Sequence, residues 1–139
     1  MEKTNEISGS RRMADVVERI TGWKLAEIRE HVHIRVEHPP LMPLAIEAWR
    51  DDGTVIISVT HYGLLNGDLM SDPDVLFAYL DGDLKPLHFQ NDYVAIYQRV
   101  AEVGNGLEIL NRRGYNDLVS FANSWADNLK AEGFCGEMQ

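Results

Sequence analysis

The sequence predicts an α+β fold: an antiparallel β-meander of four to five strands packed against an N-terminal helix and two or three C-terminal helices. Three observations point to it. From residue 44 to residue 89 apolar and polar residues alternate with a period of two, interrupted at turn signals such as Asp51-Asp52-Gly53 and Asp81-Gly82-Asp83. On either side, near residues 11–21 and toward residue 131, apolar residues recur at helical spacing instead. The length of 139 residues, 45% of them hydrophobic and 25% charged, suits one domain that buries a core without disulfides or a structural metal. The expected boundaries are a flexible leader at 1–9, a single α+β domain at 10–132 and a flexible tail at 133–139.

Taken in order, Ser10 is a suitable N-cap for a helix over about 11–21. There Met13, Val16, Val17 and Ile20 form one apolar stripe, and Gly22 suits the residue after the helix. Residues 23–38 carry two patterns. Leu25, Ile28 and Val32 suit a helix, whereas Val32, Ile34 and Val36 alternate, and a strand over about 31–37 is the expectation. Pro39-Pro40 forces an extended break, and Pro43 keeps the start of the next strand out of the ladder.

The meander then begins. Leu44, Ile46 and Ala48 alternate with Glu47 and Trp49, and Val55, Ile57 and Val59 alternate with Thr54, Ser58 and Thr60. Beyond a connection at 62–73, Val75, Phe77 and Tyr79 alternate with Leu76, Ala78 and Leu80, and a short strand follows over 84–89. Short links make consecutive strands antiparallel neighbours. Asn91 or Asp92 is expected to cap a helix striped by Tyr93, Ile96, Tyr97 and Val100, ending at Gly104-Asn105-Gly106. A short element near 107–112 is expected to break at Gly114, and Asn116 to cap a last helix reaching about 131.

Charge is unevenly placed. The whole chain carries −9, yet residues 51–92 hold eight aspartates and a single base, Lys85, for a net −7, while residues 1–35 balance at +1. So acidic a segment repels phosphate backbones and favours cations or basic partners; aspartate at turns accounts for part of it. The aromatic residues are not interleaved with bases, so direct nucleic-acid binding is disfavoured. The lone Cys135 forms no intrachain disulfide, no stretch of about 18 apolar residues spans a membrane, and the N-terminus lacks a secretion-type apolar region. A cytoplasmic setting is the expectation.

The stretch from His61 to Asp74 is the candidate site. As a connection between two strands it is long, and such links often carry function. Its residues also have structural roles, because Asn66-Gly67 reads as a turn with positive φ and Asp72-Pro73 as an aspartate-initiated turn. Asp68, Asp72 and Asp74 are hard oxygen ligands at a density suited to Mg²⁺, Mn²⁺ or Ca²⁺, with His61 as ligand or proton carrier, although the spacing is not that of an EF-hand. Elsewhere, His31 and His33 share one face of a strand and His38 lies nearby; solvated histidines on an edge strand explain them without a metal.

His61-Tyr62, then Asn66-Gly67-Asp68-Leu69-Met70, then Asp72-Pro73-Asp74 resembles the signature H-Y-x-x-x-N-G-D-L-M-x-D-P-E/D of an uncharacterised bacterial and phage or plasmid domain family. Met42-Pro43-Leu44-Ala45-Ile46-Glu47 resembles the strand that precedes the signature there, and Gln90-Asn91-Asp92-Tyr93 the stretch that follows. A shorter relative, G-D-M-M-x-D-P-E, occurs in YqiB-type bacterial proteins. The resemblance covers about residues 40–100 and implies a shared small α+β fold without implying an activity. At Gly63-Leu64-Leu65 the chain departs from the polar residues common in that family.

No nucleophile elbow, Walker loop, dinucleotide fingerprint or H-E-x-x-H helix is present, so the balance is against an enzyme. The preferred expectation is a non-enzymatic binding module that presents the acidic 61–74 segment, through His61, Tyr62, Asn66, Gly67, Asp68, Asp72 and Asp74, to a basic protein partner or a divalent cation. One alternative is a metal-dependent hydrolase or phosphoryl-transfer enzyme using Asp68 and Asp72, with Asp74 as an optional third carboxylate and His61 as acid or base. Another is an acidic mimic of DNA from a mobile element.

Overall fold

Two-residue turns organise the sheet. In a computed structural model, which describes residues 7–136, Asp52-Gly53, Asn66-Gly67 and Asp81-Gly82 each place both central residues at positive φ (50° and 86°, 52° and 85°, 56° and 82°). Turns of this kind match the twist of the strands they join. They link β2 (Leu44–Asp51), β3 (Thr54–Leu65), β4 (Asp68–Leu80) and β5 (Asp83–Asn91). With β1 (Val32–Val36) and β6 (Ile96–Arg99) these make a six-stranded antiparallel sheet whose spatial order is the chain order. A separate hairpin pairs β7 (Ala101–Gly104) with β8 (Gly106–Ile109).

The first helix forms where its cap and stripe predict. α1 spans Arg11–Thr21, Ser10 Oγ accepts from the Met13 N–H at 3.0 Å, and Gly22 closes it in the left-handed region. Ser10 also exchanges backbone hydrogen bonds with Leu84, so the helix start is pinned to β5. α2 runs from Arg112 to Ala131.

Strand alternation divides the apolar residues between two clusters. On one face Ile46, Ile57, Val59, Val75 and Phe77 pack against Met13 and Val17 of α1 and against Ala122, Trp125 and Leu129 of α2. On the reverse face Ile56, Ala78 and Leu87 meet Val100 and Ala101, the α2 residues Tyr115 and Leu118, and Ile7. No helix among the described residues is long and apolar enough to cross a membrane.

Four expectations are corrected. The 62–73 connection is not a loop: β3 and β4 run on to the Asn66-Gly67 turn, paired as far as Leu65 and Asp68. Its glycine, asparagine and proline suggested irregular chain, but backbone pairing continues, and the side chains become exposed only near the tip. The helix expected after Asn91 is replaced by a turn and strands β6 and β7, because both capping side chains are spent locally. Asn91 Oδ1 accepts from the Tyr93 N–H at 3.0 Å, and Asp92 Oδ2 accepts from the Ser71 N–H at 2.8 Å. The element near 107–112 is β8, and α2 is capped by Asn111 rather than Asn116, its Oδ1 accepting from the Gly114 N–H at 3.0 Å. Among the described residues the sheet therefore has six strands beside a two-stranded hairpin, and the α-helices number two, with one 3-10 turn at Leu25–Glu27.

Residues 1–6 and 137–139 of the expected leader and tail lie outside the described residues. Ile7 is buried, with Tyr115 Oη donating to the Ser8 carbonyl, and Phe134 is buried in the main core.

Candidate functional site

The residues from His61 to Asp74 do not converge. The Asn66-Gly67 turn puts Asp68 at the exposed tip of a long hairpin. Asp72 lies four positions further along an extended strand, roughly 13 Å away, and accepts a 2.8 Å bond from Asn91 Nδ2. His61 continues the row of Val55, Ile57 and Val59 toward the helices. Its ring lies between Trp125 and Phe134, with centroids 5.6 Å from each, and its Nδ1–H donates to the Pro43 carbonyl at 3.2 Å. The roles expected for Asp68, Asp72 and His61 thus fall at three separate places. Among the described residues no group of three or more His, Cys, Asp or Glu is arranged to hold a metal ion. Of the other histidines, His31 pairs with Glu47 at 3.0 Å and His38 packs on Phe134.

Asp74 is different. The pairing shifts register between Thr60 and Tyr62, and beyond the shift Asp74 stands opposite Thr60 on β3 and Gln90 on β5. Ser58 Oγ donates to Asp74 Oδ1 at 3.1 Å, and the Thr60 hydroxyl also bonds the carboxylate. Burial raises the Asp74 pKa above its ordinary value, and the negative charges of Glu47 and Asp92 push the same way against the two hydroxyls. Tyr62, on the same face, is raised by burial and by Asp74.

Asp74, Leu76, His88, Gln90 and Tyr97 line a pocket of about 100 Å³. The Tyr97 hydroxyl and His88 Nδ1 are 3.3 Å apart, with the rings edge to face. Burial and nearby Arg99 lower the His88 pKa, so the imidazole is neutral at pH 7. Sequence reasoning identified Asp74 and missed Ser58, Thr60, His88, Gln90 and Tyr97. The signal was the polar alternation of Ser58 with Thr60 and of His88 with Gln90, which reads as an ordinary outward face until the register aligns the strands.

A second feature lies at the hairpin tip. Leu64, Leu65 and Leu69 are 69%, 47% and 60% exposed. Tyr93 reaches the tip, its hydroxyl donating to the Leu64 carbonyl at 3.4 Å, and the lack of a side chain at Gly63 makes room for that ring. A groove of about 310 Å³ beside the tip is lined by Arg35, Leu41, Met42, Pro43, Tyr62, Leu64 and Leu69.

Comparison with known proteins returns one relationship. Residues 11–135 match the family model of a domain of unknown function, DUF6908, a span well beyond the 40–100 stretch from which an uncharacterised family was expected. No curated protein and no solved structure matches the chain. With all but the two ends of the sequence inside that match, the chain belongs to the DUF6908 family of domains of unknown function.

Proposed function

We propose that the protein is a binding module that docks a basic, partly apolar protein segment at the end of its sheet formed by the β3–β4 hairpin. The observation that carries this reading is the exposure of Leu64, Leu65 and Leu69 on a hairpin held by backbone pairing, beside exposed Met42 and Tyr93. Apolar side chains there add little to folding, and contiguous exposed apolar surface marks interaction sites. The groove beside them offers seats for apolar anchors. Asp68 at the tip and Asp72 further along β4 favour basic side chains beside those anchors, and the total of −9 disfavours a second copy of the same chain.

Selection of displayed peptides against the purified protein tests this reading. Enriched peptides are expected to combine apolar anchors with Lys or Arg, to weaken with added salt, and to lose binding to a Leu64→Ser, Leu69→Ser variant that remains folded. A selection that enriches nothing at low ionic strength, or enriches the same peptides on that variant, rejects it.

A further inference from the structure

We propose that the pocket on the reverse face of the sheet, centred on Asp74, is a binding site for a primary ammonium group, supplied either by a lysine side chain or by a small amine. It lies on β4 six residues from the hairpin tip at Asp68, about 20 Å along an extended strand, and stands independently of the docking surface above.

Register builds the site. Thr60, Asp74, Gln90 and Tyr97 occupy successive positions across β3, β4, β5 and β6, and Ser58, Leu76 and His88 occupy the adjacent row. No single strand carries the set. The pocket holds about 100 Å³, room for roughly three waters or for an ammonium with its adjoining methylenes.

The donor and acceptor inventory selects the ligand. One of the two N–H groups of Gln90 Nε2 donates to Asp92 Oδ1 at 2.8 Å, and the amide oxygen remains available as an acceptor. Asp74 is anchored from β3 by Ser58 and Thr60 and lines the pocket with its carboxylate. Tyr97, 60% exposed, adds an aromatic wall, and Leu76 an apolar surface for methylenes. An ammonium has three donors and no acceptor; a carboxylate, an amide oxygen and a ring face match it.

Charge agrees with this match. The ionised groups acting most on Asp74 are Glu47 from β2 and Asp92 from the end of β5, both negative. His88 from β5, neutral at pH 7, does not offset them, and Arg99 of β6 is engaged by Glu102 at 2.6 Å. Tyr62 of β3 stays protonated, its own pKa being raised. The pocket is therefore negative and partly desolvated, where a cation gains more than it would in bulk water. One carboxylate among neutral ligands is a poor cage for a divalent metal, which takes several hard oxygen ligands.

The test is a nuclear magnetic resonance titration of the full chain with n-butylammonium and with Nα-acetyl-lysine methylamide, using n-butanol and N-methylguanidinium as comparisons. Saturable shifts are expected at the amides of Asp74, His88, Gln90 and Tyr97 with either amine. The Asp74 titration midpoint should also fall by about one unit at ten times the dissociation constant, as linkage requires. Response to the small amine alone or to the lysine derivative as well identifies the source, and both support the site. Asp74→Asn should weaken amine binding at least about tenfold, the loss of a charge-assisted bond; Tyr97→Leu should weaken it less. Should Asp74→Asn fail to fold, the midpoint shift in the unaltered protein decides. Equal shifts with n-butanol, binding of N-methylguanidinium in place of the amines, or an Asp74 midpoint that saturating amine leaves unmoved would overturn the proposal.

Discussion

Lys85 Nζ donates to the carbonyl oxygen of Ile7 at 2.6 Å, joining a buried ammonium on β5 to the segment that precedes α1. Lys85 is 1% exposed, and its nearest carboxylate, Asp83, is 3.9 Å away, so the Ile7 carbonyl is its closest partner. Ile7 in turn buries its side chain against Ile56, Ala78 and Tyr115. The N-terminal segment is thus part of the reverse-face core.

Deleting residues 1–9 should therefore destabilise the protein. The Ile7 side chain, the Lys85 acceptor and the acceptor of Tyr115 Oη at Ser8 all disappear. The expected loss is about 3–5 kcal/mol, from one buried aliphatic side chain and two stranded donors. Urea unfolding of the truncated and full chains measures it, and unchanged midpoints would refute the role assigned to the segment.

Burial lowers the Lys85 pKa below its ordinary 10.5, only partly opposed by Asp83 and Asp81. The unfolded chain then binds more protons than the folded one between the two pKa values, so this group makes stability rise with pH across that interval. Lys85→Met removes the contribution. The difference in unfolding free energy between the parent and Lys85→Met proteins should shift in favour of the parent as pH climbs toward 10.5, and a flat difference would contradict the assignment.

Ser10 serves two partners, accepting from the Met13 N–H and donating to Asn123 Oδ1 at 2.7 Å. Ser10→Ala loses the cap of α1 and a link between the two helices in one step. A cost of about 2 kcal/mol is expected, above the roughly 1 kcal/mol of a cap alone. Pairing it with Asn123→Ala in a double-mutant cycle should show the effects to be less than additive.

Gly114 sits in the first turn of α2, where alanine ordinarily improves a helix by about 1 kcal/mol. Here an added Cβ would lie 2.5 Å from Gln98 Nε2 and 2.9 Å from Val100 Cγ1. Gln98 can swing aside, but Val100 is fully buried. Overpacking costs about 1–3 kcal/mol, so Gly114→Ala should be destabilising on balance, by about 1 kcal/mol. Thermal unfolding of the two proteins at one pH gives the sign.

The raised pKa of Asp74 has a consequence at neutral pH. The folded protein holds a proton there more readily than the unfolded chain, so stability falls as pH rises from the ordinary value of 3.8 through the raised one, and stays lower above it. Asp74→Asn should raise the unfolding midpoint at pH 7 and leave it unchanged well below pH 3.8. A midpoint lowered at pH 7 would show the carboxylate to be stabilising.

Much of this fold was legible in the chain. Helix α1 was marked at both ends by Ser10 and Gly22, and the strands from Leu44 to Leu80 by alternation between Asp-Gly turns. Those signals are local, acting within a turn or between immediate neighbours. The helix expected over Tyr93 to Val100 failed because helical spacing was matched by residues that the structure leaves exposed, Tyr93, Ile96 and Tyr97, while β5 offered a strand edge nearby. Gly114 was read as a breaker because nothing local shows Val100 pressed against it.

By itself the sequence determined the α+β class, the antiparallel order of the four strands between Leu44 and Phe89, and the acidic centre of the chain. Only the tertiary structure decided that Asp68, Asp72 and His61 part company, and that Asp74 instead meets Ser58, His88, Gln90 and Tyr97. The physical reason is register. A one-residue shift between Thr60 and Tyr62 changes which side chains of β4 face which neighbours, and whether a strand is offset by one position is settled by packing across the whole sheet rather than by any stretch of residues within it.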